Sequence, residues 1–195
     1  YVAKPGVMVM LVLWTGSVGG WQNGFLWFGI GLLAALAGDV LLMLPARFFL
    51  PGMLAFFVMQ LSYLIGFNQN SLEFTLPVAT AAVIVGLAAS AVMRLLLPHL
   101  RAHVKSSAGL IPYAAYFIAL TFMLLAAVLT LFRPDWRPLT AWLAALGGVL
   151  FFTSDSLLSY DRFARHLGHA RFWVHLTYHL GQFGLISAAL LHSLP

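Results

Sequence analysis

Apolar positions in this chain do not alternate, and they do not keep to one helical face; they run on. Seven runs stand out, at 5–19, 24–44, 50–68, 75–97, 108–131, 138–159 and 171–193. A helix needs about 20 mostly apolar residues to cross the hydrocarbon of a bilayer, whereas a barrel strand needs only about ten. Open sheet edges cannot face lipid. The pattern therefore predicts an all-α fold, a polytopic bundle with seven transmembrane spans, the first short and partly interfacial. Breakers separate the runs: Gly19-Gly20, Pro45, Asn68-Gln69-Asn70, Pro98, Pro134 and Pro138. No stretch reads as a linker, so residues 1–195 form a single membrane domain. The chain opens on Tyr1 in the middle of the pattern, and a segment upstream of it is expected.

Composition agrees. The chain is 62% hydrophobic and 8% charged, with a mean hydropathy of +0.95, against about 25% charged in an ordinary soluble domain. It has no cysteine, which removes disulfides and thiol chemistry. The net charge of +5 would suggest nucleic acid in a soluble protein. Here the basic residues sit in short connections instead. Alternating sides across seven helices puts Lys4, Arg47, Arg94, Arg101, Lys105, Arg162, Arg165 and Arg171 on one side and only Arg133 and Arg137 on the other. Such a bias marks the cytoplasmic face. The expected partners are membrane lipids, not nucleic acid.

Charges inside the spans carry the chemistry, since an Asp at mid-helix costs roughly 2.5–3.5 kcal/mol on insertion scales. Two acids fall there, Asp39 in Gly-Asp-Val-Leu-Leu and Asp155 in Ser-Asp-Ser-Leu-Leu. Asp39 precedes Pro45 by six residues and Asp155 precedes Asp161 by six, about 9 Å at the helical rise, so the two are expected at one depth. The surroundings repeat: Arg-Phe follows at 47–48 and 162–163, and the next helix carries Gln60 and Tyr63 or Tyr178 and Gln182. This suggests a parallel four-helix internal repeat. Two carboxylates sharing a poorly solvated site do not both stay charged, which leaves one proton donor beside one base.

Other residues weigh less. His175 and His179 share a helix face, as do His99 and His103, but without a third ligand a pair is a weak zinc signal, and no metal is expected. Ser154 and Ser156 flank Asp155 without a nucleophile-elbow motif. Trp14, Trp21, Trp27, Trp136, Trp142 and Trp173 lie mostly near predicted helix ends, as interfacial anchors do. Gly29, Gly31, Gly38, Gly147, Gly148, Gly181 and Gly184 suit close helix packing.

Three stretches, GLLAALAGDVLLMLPARFFLPGMLAFFVMQLSYLIGF from Gly31, IPYAAYFIALTFM from Ile111, and Gly148 to Ser187 with its Ser-Asp and Tyr-x-x-x-Gln, resemble the YhhN-type lysoplasmalogenase family. Lys4-Pro5 is similar to the Lys-Pro that follows the family's first helix. The chain departs from the family's usual Gly-His at Met59-Gln60 and from its Tyr-Tyr at Tyr178-His179. The resemblance implies eight helices in the complete protein, one of them before Tyr1. It implies hydrolysis of the vinyl-ether bond of a lysoplasmalogen to a fatty aldehyde and a glycerophospho-ethanolamine or -choline, with no cofactor. Asp39 and Asp155 would then be the catalytic pair. Gln60, Tyr63, Tyr178 and Gln182 would orient water or the ether oxygen, and Arg47 and Arg162 would hold the phosphate. The expected location is a bacterial inner membrane with the basic loops cytoplasmic. The same paired carboxylates also suit a proton-coupled transporter or a lipid-binding protein.

Overall fold

The computed structural model describes residues 3–18, 21, 23–104 and 106–193. Tyr1, Gly19, Gly20 and Lys105 lie outside the described residues, as does the side chain of Lys4. The described chain is helical, without a strand: α1 (Ala3–Ser17), α2 (Leu26–Met43), α3 (Phe49–Phe67), α4 (Leu76–His103), α5 (Ser107–Leu129), α6 (Pro138–Phe163) and α7 (Ala170–Ser193), with short 3-10 turns at Asn23–Phe25, Ala46–Phe48 and Thr130–Phe132. Five segments are long and apolar enough to cross a membrane: α2, α3 with its leading turn, α4, α5 with its trailing turn, and α6. The protein is a multi-pass membrane protein on that count. The helix α1 has 15 residues. The helix α7 is long, but His175, Thr177, His179 and Gln182 dilute its apolar character.

Two helix ends differ from the sequence expectation. Proline at 98 was expected to end α4, yet the helix continues to His103 with Pro98 inside it. A proline this late removes one bond, to the Arg94 carbonyl, and the remaining turn closes through Val104 N–H to the Leu100 carbonyl. The helix α6 runs to Phe163 and takes in Asp161. Asp39 is therefore four residues from the end of its helix and Asp155 eight from the end of its own, about 6 and 12 Å at the helical rise. Measured from the helix ends, the two acids are not at equal depth.

Successive connections meet at opposite ends of the bundle. At one end the Arg162 guanidinium lies 3.7 Å over the Phe49 ring, Phe49 stacks on Tyr113, and His103 meets Phe163 edge-on. At the other end Gln69 donates to the Gly24 carbonyl at 2.7 Å. Arg133 donates there to the Asn70 carbonyl and to Asn68 Oδ1, at 2.6 and 2.8 Å. Burial presses this guanidinium below its ordinary pKa, and nearby Asp135 pulls it back up. Trp136 is buried at this end, stacked 4.0 Å from His192, rather than anchored at an interface.

Lipid-type solvent inverts the usual arrangement of side chains. Large apolar residues such as Leu54, Ile84, Leu87, Ile118 and Leu146 are exposed, while Asp39, Gln60, Gln182 and Tyr63 are fully buried. The most extensive packing joins α6 to α7, and next α2 to α3. The α6–α7 seam is backbone against backbone. A Cβ on Gly181 would lie 2.8 Å from the Phe151 nitrogen, and one on Gly147 2.7 Å from the Leu185 nitrogen. Membrane helices without a hydrophobic drive between them pack by such approaches. Gly181→Ala is expected to cost about 1–3 kcal/mol of stability through overpacking, read as a lowered unfolding temperature in detergent. Gly86→Ala, where a Cβ meets nothing within 4 Å, should leave that temperature unchanged or higher.

Candidate active site

A run of polar side chains crosses the interior between α2, α3, α5, α6 and α7. The Tyr178 hydroxyl of α7 donates to Asp39 Oδ2 of α2 at 2.8 Å. The Tyr63 hydroxyl of α3 donates to Gln182 Oε1 of α7 at 2.9 Å, and Gln182 Nε2 points at the Met59 sulfur at 3.4 Å. The Tyr116 hydroxyl of α5 donates to Asp155 Oδ2 of α6. Tyr178 lies within electrostatic reach of Asp39, Tyr63 and Asp155. The bonds cross between the hairpins: the tyrosine of α6–α7 serves the acid of α2–α3, and the tyrosine of α3 serves the glutamine of α7.

Local sequence makes these placements possible. Gly31 leaves room for the Tyr63 ring, whose carbon would meet a Cβ there at 2.4 Å, and Gly38 does the same for Phe56 at 2.7 Å. Ser154, beside Asp155, donates to the Val174 carbonyl at 3.0 Å and pins α6 to α7 next to the acid. The amide of Gln60 is fully buried and makes no well-formed hydrogen bond with the described residues, although its end lies beside the Tyr116 hydroxyl. A buried unsatisfied amide costs about 1–3 kcal/mol.

Two cavities flank this run. The first, about 880 Å³ to its open mouth, lies between α3, α4, α5 and α6. Its walls are largely apolar, with Met93, Leu96, Phe117 and Leu120 among them, and they also carry Asp155, Tyr116, Tyr178 and Arg162. The second, about 1170 Å³ to its mouth, is lined by Asp39, Asp161, Arg162, Arg171 and His175 among others. The two acids thus line different cavities. Leu42, Phe49, Leu158, Arg162 and Val174 belong to both. Tyr178 joins them chemically, since it lines the first and bonds the acid of the second.

Of the residues expected from sequence, Asp39, Asp155, Gln60, Tyr63, Tyr178 and Gln182 are all buried, but the two acids line different cavities and Gln60, Tyr63 and Gln182 line neither; Arg162 borders both. Arg47 does not join them. It is exposed, lies over the neighbouring Phe48 ring, and lines neither cavity. Its phosphate role has no support in its position. Sequence reasoning missed Tyr116, Asp161 and Arg171, and took His175 as an interfacial or packing residue with only a weak metal signal. Among the described residues no three His, Asp or Glu side chains gather as a metal centre would need. His175 and His179 have rings 6.2 Å apart, and His175 Nδ1 is bonded to the Arg171 carbonyl.

Tyr63→Phe strands the buried Gln182 carbonyl and is expected to cost about 1–3 kcal/mol. Tyr63→Phe combined with Gln182→Met removes both partners and should recover most of that loss. Thermal unfolding of the wild type, the single variant and the double variant in detergent checks the difference.

The sequence matches the model of the YhhN family over residues 1–189. It is 32% identical over 165 residues to the human protein named lysoplasmalogenase TMEM86B, a match covering 84% of this chain and 63% of that protein. The rat protein of the same name is 33% identical over 96% of this chain and 70% of its own length, and the mouse protein 31% over 96% and 73%. No solved structure matches the chain.

Proposed function

The chain belongs to the YhhN family, and from that we propose that it hydrolyses the vinyl-ether bond of lysoplasmalogens, with Asp39 and Asp155 sharing the acid and base work. The observation that carries the reading is Tyr178. It faces the apolar cavity beside Asp155 and donates at 2.8 Å to Asp39 in the polar one. A single-chain ether lipid needs such a pairing of an apolar slot with a charged vestibule.

In the proposed course, the alkyl chain occupies the apolar cavity and the head group the polar one. Asp155 protonates the alkenyl carbon distal to the ether oxygen, giving an oxocarbenium ion. Asp39, held by Tyr178, takes a proton from water as the water adds to the cationic carbon. The hemiacetal collapses as its hydroxyl proton passes to Asp155 and Asp39 returns a proton to the departing glyceryl oxygen; the C–O bond breaks, releasing the fatty aldehyde and the glycerophospho-alcohol with both acids restored. Gln60, Tyr63 and Gln182 line neither cavity and in this reading act through their neighbours: Gln60 lies beside the Tyr116 hydroxyl that meets Asp155, and Tyr63 lies within electrostatic reach of Tyr178. No cofactor enters this course.

The vestibule suits a zwitterionic head group of the ethanolamine or choline type. Arg162 and Arg171 suit the phosphate, since guanidinium forks bind phosphate oxygens in pairs. Asp161, within electrostatic reach of Arg171, suits the amine. All seven helices span the membrane in this reading. The end carrying Arg162 is cytoplasmic, supported by the eight-to-two division of basic residues.

Asp39→Asn and Asp155→Asn are each expected to abolish aldehyde release from a lysoplasmalogen while the purified variants keep the wild-type elution profile. Full activity in either variant removes the pair from the mechanism. Arg171→Ala should raise KM at least several-fold with kcat little changed, in the same aldehyde assay.

A further inference from the structure

The apolar cavity has a second boundary. On the outer surface between α3 and α5 lies an apolar groove of about 850 Å³ to its open side, lined by Leu50, Pro51, Leu54, Phe57, Pro112 and Ala115 together with Met53 and Tyr116. Met53 and Tyr116 also line the cavity that holds Asp155. Between them these two side chains form the residues common to groove and cavity. Leu54 is 59% and Leu50 50% exposed, on the outer face that an apolar bundle turns toward hydrocarbon.

We infer that this groove is the side entrance through which the hydrocarbon chain of a lysolipid passes from the bilayer into the cavity, with Met53 and Tyr116 as the movable wall. The inference rests on the lysolipid reading above and names the route by which that substrate loads. Its occupant is a single alkyl chain lying in the membrane. The groove offers almost only carbon, and the cavity behind it continues with Met93, Leu96, Phe117 and Leu120.

The wall is built to move. Met53 is unbranched and half-buried, and methionine re-packs at low cost. Pro112 lies inside α5 and has no N–H for the Ala108 carbonyl, so the first turns of α5 are held by one bond fewer. The Tyr116 hydroxyl bonds Asp155. A chain that pushes the Tyr116 ring aside also takes that hydroxyl off the carboxyl group. Loading then exposes the acid only when a chain is in place, and Tyr116 is the positioning residue that couples the two events.

Two measurements test this. The first uses an acyl-linked lysophosphatidylethanolamine carrying a diazirine in mid-chain, photolysed with the wild-type protein in phosphatidylcholine nanodiscs and mapped by mass spectrometry. Adducts at 50–57 and 112–116 are expected; adducts confined to other faces of the bundle overturn the proposal. This readout needs no hydrolysis, so it stands or falls independently of the proposed activity. The second fills the groove by Leu54→Trp or Ala115→Trp. For a sixteen-carbon vinyl-ether lysolipid, KM is expected to rise at least five-fold with kcat within two-fold. A four-carbon analogue, which reaches the site through the Arg162 mouth, should keep its wild-type KM. Equal effects on both substrates, or none on either, overturn the proposal.

Discussion

Everything in this bundle hangs on the bond between Tyr178 and Asp39. A carboxyl group with no exposed surface, in a helix surrounded by hydrocarbon, is tolerated only where another polar group meets it. Tyr178 meets it from α7, and α7 is held in register by its glycine seam with α6. The acid of one hairpin is therefore fixed by the backbone packing of the other. The Tyr63–Gln182 bond repeats the exchange in the opposite direction. These crossed bonds join the hairpins in a solvent where apolar contact alone discriminates poorly between helix partners.

The same bonds lie between two different environments that share part of their walls. One is lined largely by Leu, Met and Phe, with Asp155 as its one acid. The other is a vestibule with two guanidinium groups, an imidazole and two carboxyls. An amphiphile with one chain and a charged head divides along the same line. The reading of the site as lipid-hydrolysing draws on this division and on the family.

Much of this was legible in the residues. Seven apolar runs correspond to seven helices, because uninterrupted hydrophobicity over such lengths has few other outcomes. Asp39, Asp155, Gln60 and Gln182 stood out, since polar groups in such runs are costly to bury. Tyr116 did not, because a phenol in an apolar run reads as one more aromatic, and its hydroxyl has meaning only once α6 is beside it. Arg47 and Arg162 looked equivalent, both in Arg-Phe pairs just past an acid. The helix α6 continues through Arg162, which keeps that residue on the wall of the cavities, whereas α2 stops before Pro45 and a 3-10 turn carries Arg47 outward. Periodicity does not reveal where a helix stops, and here the stop decided which arginine borders the site.

The glycine seam has one more consequence. With backbones in contact at Gly147 and Gly181, α6 and α7 behave as one stiff plate, and Ser154, Asp155 and Tyr178 are bolted to it. Shape change needed to admit a large guest must then come from the opposite wall, where α3 and α5 meet through side chains and a proline. The molecule has a fixed jaw that carries Asp155 and Tyr178 and a compliant wall of α3 and α5 that carries neither acid.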